Sequence, residues 1–131
     1  MDALGRHFER LRARRWTLYF FGVADSQPRG LAASWCWDSF ADVVIVRDAT
    51  AASAFRAVLL PDTDLLNPQM VCWQFHGDPV TAIDTLLALP EPGSPGAPVR
   101  ASAAGPRCSV PLGWPRPQIL PPEDESAGDR S

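Results

Sequence analysis

The sequence predicts an α+β or small α/β fold, in which a three- to four-stranded sheet carries two helices on one face and a disordered, proline-rich C-terminal tail follows. Three observations lead to this prediction. Residues 43–46, Val-Val-Ile-Val, form an unbroken β-branched run, which is typical of a strand covered on both faces. Residues 49–60 then repeat apolar side chains at helical spacing. The same order, strand and then helix, returns between residues 70 and 89.

The proline content divides the chain of 131 residues into three parts. Ten of the 14 prolines lie from Pro90 onward, so we expect a globular domain at residues 16–89, between a basic leader (1–15) and an extended or disordered tail (90–131). A domain of this size buries only about 60 to 65% of the surface of its unfolded chain. We therefore expect a partner, a dimer mate or the tail to cover the remaining apolar surface.

Charge is distributed unevenly along the chain. All 12 basic residues are arginine, and the net charge of −3 results from +3 in the leader, −5 in residues 16–89 and −1 in the tail. The acidic domain argues against nucleic-acid binding, which requires a basic face. The N-terminus lacks the apolar core of a secretory signal, and no apolar run reaches the roughly 18 residues of a membrane span. These features predict a cytoplasmic protein without membrane contact, with its three cysteines reduced.

The leader predicts an arginine-rich helix with Leu4, Phe8 and Leu11 on one side. Two interpretations are open. The segment is either a basic arm for RNA, DNA or an acidic partner, or a frayed and solvated leader. We favour the frayed leader, because short basic runs are common.

Aromatic residues dominate the first part of the domain. Residues 16–23, Trp-Thr-Leu-Tyr-Phe-Phe-Gly-Val, predict an inner strand. Residues 24–30 carry the residue types of a turn and fit a mobile loop over a site equally well. Residues 34–42 fit either a strand, with Trp35 and Trp37 on one face and Cys36 on the other, or a short helix that groups Trp37 with Phe40. Each tryptophan buries roughly 200 Å², so we interpret this pair as core or interface anchors.

The second half of the domain predicts a parallel pair of strands. Residues 60–69 return the chain as a right-handed crossover, and residues 70–75 form the next strand. Asp78 then fits the N-cap of a helix, with Pro79 at its first position and Val80, Ile83, Leu86 and Leu87 as its buried stripe. In the tail, residues 110–120 place Trp114 among prolines and aliphatic residues. This segment either docks back on the domain, as we expect, or recognises another protein.

The predicted strand-to-helix junctions supply a candidate ligand site. Parallel neighbours would bring Arg47 and Asp48 near His76, Gly77 and Asp78, at the edge where ligands of α/β sheets bind. An anion is the expected ligand. Helix capping by the two aspartates and a tight turn at the glycine explain the same residues without any ligand, and we give this explanation more weight.

The cysteines offer weaker chemistry. A metal site from Cys36, Cys72 and His76 is rejected, because the last two would lie about 13 Å apart along a strand. A Cys36 nucleophile with His76 as base is conceivable, although cysteine is usually a small buried hydrophobe. The sequence contains no phosphate-binding loop or serine elbow, and no glutamate between residues 16 and 89. No cofactor is predicted.

Three segments together resemble small uncharacterised proteins of actinomycete-type, high-GC bacteria. They are residues 16–23, residues 34–44 (Ser-Trp-Cys-Trp-Asp-Ser-Phe-Ala-Asp-Val-Val) and residues 71–77 (Val-Cys-Trp-Gln-Phe-His-Gly). The likeness covers roughly residues 16–89 and agrees with the arginine-only composition. It implies no activity and assigns no functional residue.

The sequence therefore predicts an accessory or regulatory protein that binds another protein or a second copy of itself, through Trp35, Trp37 and Trp114. One alternative is a small enzyme or anion sensor that uses Arg47 and His76, with Cys36 as a further catalytic candidate. Nucleic-acid binding through the N-terminal arginines is the weaker alternative.

Overall fold

The computed structural model describes residues 3–22 and 30–121. They form one antiparallel sheet of seven strands and two helices, with strand order β6-β5-β4-β3-β2-β1-β7. The elements in chain order are α1 (Ala3–Ala13), β1 (Thr17–Phe21), β2 (Gly30–Cys36), β3 (Phe40–Asp48), β4 (Ala51–Val58), β5 (Met70–Gly77), α2 (Pro79–Leu87), β6 (Ser102–Ala103) and β7 (Pro117–Leu120). Neither described helix is long and apolar enough to cross a membrane.

The predicted α+β fold with a three- to four-stranded sheet is wrong. The first five strands pair with their neighbours in chain order, and every pairing is antiparallel. The helix predicted over residues 49–60 is the strand β4, and residues 60–69 connect antiparallel neighbours instead of crossing over. The sheet is therefore a meander to which the tail adds one strand at each edge.

Asp48 explains how the chain turns back after β3. Its Oδ1 accepts hydrogen bonds from the backbone N–H and the hydroxyl of Thr50, each at 2.7 Å. An aspartate that bonds two residues ahead stabilises a tight turn, which is the same preference that makes aspartate a good helix cap. In this chain the residue closes a β3–β4 hairpin at residues 49–50.

Two helices cover one face of the sheet, which we name the helix face. Phe8 and Leu11 of α1 and Ile83 and Leu86 of α2 are buried there over small side chains of β3 and β4. The prediction of a frayed leader is therefore wrong for α1, which packs on the domain. Asp78 caps α2 as predicted, accepting from the backbone N–H of Thr81 at 3.0 Å.

The tail covers the opposite face. Residues 104–116, which we name the strap, run from β6 at one edge of the sheet to β7 at the other. Cys108 of the strap is buried against this face, and Trp114 packs there with a ring-centroid distance of 4.9 Å to Phe21. The predicted disorder of the tail is therefore wrong for residues 90–121, whereas the predicted docking of the Trp114 segment is confirmed.

The helices cover one face of the sheet and the strap covers the other. Residues 43–46 are therefore all buried, as predicted. Residues 34–36 end β2 and residues 40–42 begin β3, so the strand alternative for residues 34–42 is confirmed at both ends and wrong for the turn at residues 37–39, which contains Trp37. The β5 strand and the inner position of β1 also match the prediction. The turn predicted at residues 24–30 lies, apart from Gly30, outside the described residues.

The contact between Trp114 and Gly30 allows a test of how the strap packs on the sheet. A Cβ atom added to Gly30 would lie 2.0 Å from the indole of Trp114, so Gly30→Ala must displace the ring from Phe21. We expect a loss of about 1 to 3 kcal/mol in the free energy of unfolding, measured with urea. In a Trp114→Ala background the same substitution should cost less than half as much. An equal cost in both backgrounds would show that the ring does not occupy this position.

Candidate functional site

A buried ion pair links β3 and β4 on the helix face. Arg56 is fully buried and Asp42, directly opposite in the register, is 4% exposed. The guanidinium donates from Nε to Asp42 Oδ1 at 2.6 Å and from Nη2 to Oδ2 at 3.0 Å. This two-point geometry compensates both charges for their loss of water.

The same pair fixes two further parts of the chain. Trp37 donates from its indole Nε1 to Asp42 Oδ2 at 3.1 Å, and its ring lies 5.9 Å from the guanidinium carbon of Arg56. Arg56 Nη1 donates to the carbonyl of Pro90 at 2.7 Å. The ion pair thus holds the β2–β3 turn and the chain after α2 at fixed positions beside each other.

Two adjoining pockets share Trp37 as a wall, and we name them together the tryptophan cleft. The inner pocket has a volume of about 260 Å³. Its lining is mostly apolar, with Asp42 and Arg14 as its charged members; the other residues are Trp16, Trp35, Trp37, Leu86, Leu87 and Leu89. Trp35 meets Trp37 edge to face, at a centroid distance of 5.9 Å and an interplanar angle of 82°. An apolar pocket with few polar groups is typical of a binding site.

The outer pocket is larger and acidic. Its volume is about 460 Å³, and Phe40 joins Trp37 in its wall. Asp38 and Glu91 are among the residues that line it, and no basic residue is. Both residues are exposed, and within residues 3–22 and 30–121 neither carboxylate has a hydrogen-bonding or ionic partner. The cleft therefore joins an apolar pocket to a negatively charged one.

Arg47 and His76, predicted as ligand-binding residues, do meet, but through a residue that the sequence analysis missed. Arg47 donates from Nη1 to Ser53 Oγ at 2.8 Å, and His76 Nδ1 lies 2.7 Å from the same oxygen. The reason is topological. Both β3 and β5 run antiparallel to β4, so their C-terminal ends lie at one end of the sheet with Ser53 between them.

The cluster continues onto the strap. His76 Nε2 lies 2.8 Å from Gln74 Oε1, and the Cys108 thiol donates to that oxygen at 3.4 Å. Because Oε1 only accepts, Nε2 carries a proton and Nδ1 is free to accept from the Ser53 hydroxyl. Burial, with the positive charges of Arg107 and Arg47, lowers the pKa of His76 and favours this neutral form.

These contacts hold the strap rather than a ligand. Arg47 Nη2 donates to the carbonyl of Arg107 and, at 3.4 Å, to that of Ser109. Ser53 is fully buried, so a substrate cannot reach its hydroxyl. A groove of about 880 Å³ lies beside the strap, but the two terminal nitrogens of Arg47 are already engaged with the protein.

The remaining predicted ligand residues have structural contacts. Asp48 bonds Thr50 and Asp78 caps α2, and these hydrogen bonds lower the pKa of each carboxyl. Gly77 pairs with Ala52 at the end of β5. The capping explanation accounts for Asp78, and a hairpin turn accounts for Asp48.

The cysteines do not form the predicted nucleophile–base pair. Cys36 pairs with Ala41 at the opposite end of the sheet from His76. Partial burial raises the pKa values of the Cys36 and Cys72 thiols, which disfavours a reactive thiolate. Among the described residues no three His, Cys, Asp or Glu side chains are grouped as a metal site.

The exposed side of α1 carries a basic stripe. Arg6 and Arg10 of α1, and Arg14 directly after its last residue, follow one another at four-residue spacing and are exposed, while Phe8 and Leu11 are buried. The stripe lies on a packed helix rather than on a free arm.

Sequence reasoning missed Asp42, Arg56 and Ser53. A signal exists for the first two, because Arg56 is the one charged residue of β4 and Asp42 is a charged residue directly before the apolar run at residues 43–46 of β3. Comparisons with protein families, with curated proteins and with solved structures find no match to this chain.

Removal of the Arg56 charge tests the ion pair. Arg56→Met keeps the length of the side chain but leaves Asp42 buried with one remaining donor, Trp37. We expect a loss of about 3 to 5 kcal/mol in the free energy of unfolding by urea. Adding Asp42→Leu should recover at least half of that loss, since no uncompensated charge remains. A double variant as unstable as Arg56→Met would contradict this account.

The contacts of His76 beside the strap predict that the free energy of unfolding depends on pH. Because the pKa of His76 is lowered on folding, the unfolded chain takes up the proton first, and stability is lost as the pH falls from 6.5 toward the lower folded value. We expect the unfolding free energy of the wild type to fall more steeply across this range than that of His76→Gln. The other titrating groups are common to both proteins. Parallel curves would refute the assigned protonation.

Proposed function

We propose that this protein is a cytoplasmic accessory or regulatory protein that acts by binding another protein through the tryptophan cleft, without catalysis of its own. The observation that carries the proposal is the pair of adjoining pockets that share Trp37. Tryptophan is enriched among the residues that dominate binding energy at protein interfaces, where it fills or lines pockets near the centre.

The fixed position of the cleft supports the proposal. Trp37 contacts Asp42 and Arg56, which are both buried. The carbonyl of Pro90, in the segment after α2, accepts a hydrogen bond from the same arginine. A wall that is already ordered loses little conformational entropy when a partner binds. The tryptophan cleft is therefore preorganised for binding.

The proposed binding surface does not include Trp114. Its ring packs on Phe21 and over Gly30, so it contributes to the fold instead. The proposed interface therefore consists of Trp35, Trp37 and the residues around them, and the partner is either another protein or a second copy of the chain.

The alternatives have less support. An enzyme or anion sensor at Arg47 and His76 would have to release contacts that now hold the strap. Nucleic-acid binding has one observation in its favour, the exposed stripe of Arg6, Arg10 and Arg14. Three arginines make a small patch, and binding through it should fall steeply with salt.

Partner capture with a blocked cleft tests the proposal. Tagged full-length protein is compared with Asp38→Arg/Glu91→Arg, which places two long side chains at the outer pocket without removing a described contact. We expect the wild type to retain a defined protein from the cytosol of the source cells and the blocked variant to lose it. Identification is by mass spectrometry, followed by binding of the purified partner.

The matched control is Glu9→Arg/Asp62→Arg, which changes the charge by the same amount at exposed positions outside both pockets. It should capture the partner as the wild type does. Retention of the partner by the cleft-blocked variant would refute the proposal, as would loss of the partner from both variants.

A further inference from the structure

We infer that the tryptophan cleft recognises an extended protein segment with an apolar side chain followed, two residues later, by an arginine or lysine. The inference rests on the proposed function and names the chemistry of its partner. The apolar side chain enters the inner pocket, and the cation enters the outer pocket between Asp38 and Glu91.

Charge complementarity assigns the cation to the outer pocket. Two carboxylates without partners among the described residues line this pocket, and no positive charge lines it to neutralise them. The surrounding domain, residues 16–89, is acidic as well, with eight aspartates against three arginines. An anionic surface of this kind accelerates encounter with basic partners and disfavours acidic ones.

The aromatic wall favours the same occupant. A cation against Trp37 or Phe40 gains from the negative face of the ring in addition to the carboxylates. Trp37 already lies within 5.9 Å of the guanidinium carbon of Arg56, so the protein itself uses this ring against a cation. An arginine or lysine stem also covers apolar surface while its charged end stays at the carboxylates.

The inner pocket selects against charge. Its volume of about 260 Å³ is lined mainly by tryptophan and leucine residues, and Asp42 in its lining is already neutralised by Arg56. Arg14 at the same pocket repels a second cation. An aliphatic or aromatic side chain is the occupant that these surroundings stabilise.

Because Trp37 lines both pockets, the two side chains that enter them must lie close together in the bound segment. In an extended segment, side chains two residues apart point to the same side and are separated by about 7 Å. One intervening residue therefore allows the two side chains to enter neighbouring pockets that are both lined by Trp37.

Capped tripeptides test this recognition directly. Ac-Leu-Ala-Arg-NH2, Ac-Leu-Ala-Gln-NH2 and Ac-Ala-Ala-Arg-NH2 are titrated into ¹⁵N-labelled full-length protein, to about 10 mM because ligands of this size bind weakly. The readout is the indole N–H resonances, assigned with single Trp→Phe variants. We expect shifts at Trp35 and Trp37, and binding of the first peptide at least about five-fold tighter than either of the others.

The variant Asp38→Asn/Glu91→Gln separates charge from shape, since it keeps the size of both side chains. It should remove the preference for arginine over glutamine, so that the two leucine peptides bind the variant with equal affinity. Equal affinities in the wild type, a preference that survives in the variant, or shifts confined to Trp114 would overturn the inference, as would the absence of any shift.

The two proposals fail in distinguishable ways. If the cleft prefers the arginine peptide but the cleft-blocked protein still captures the cellular partner, the proposed function is wrong and the chemistry of the cleft is right. If the partner is lost on blocking but the tripeptides show no charge preference, the protein binds through the cleft and the inferred recognition is wrong.

Discussion

The ion pair between Arg56 and Asp42 is the contact on which the tryptophan cleft depends. One guanidinium contacts a carboxylate on β3, the indole of the β2–β3 turn and the carbonyl of Pro90, which lies far from the other two in the chain. A buried ion pair adds little net stability compared with an apolar pair of the same volume. Its value in this protein is geometrical, because an apolar pair could not orient both an indole N–H and a carbonyl.

The polar cluster at the other end of the sheet has a comparable role on the strap face. Arg47, Ser53 and His76 form a bonded series between three strands, and Arg47 extends it to the strap backbone. A Ser–His contact of 2.7 Å is easily taken for a catalytic arrangement, but the serine is fully buried. Burial, rather than the identity of the two residues, decides between a nucleophile and a structural hydrogen bond.

Local signals were sufficient for some elements and not for others. Asp78 followed by Pro79 predicts the start of α2 correctly, because capping depends on neighbouring residues alone. The run at residues 43–46 predicts burial on both faces, yet it cannot tell whether helices or a strap supply the cover. The helix prediction is wrong for residues 51–58, because alanine fits an apolar face at the helical period as well as at the strand period. The pairing of Asp42 with Arg56, and the meeting at Ser53, depend on strand register, which one sequence does not encode locally.

The order of the elements along the chain affects how the protein forms during synthesis. Both helices and the five meander strands leave the ribosome before the strap and the two outer strands. Until then Val43, Ile45 and Phe55 have no cover on the strap face, and the nascent sheet has two open edges. Such an intermediate is prone to aggregation and is a natural substrate for chaperones. Synthesis of the strap and β7, rather than formation of the central sheet, is thus the step that protects this fold from aggregation in the cell.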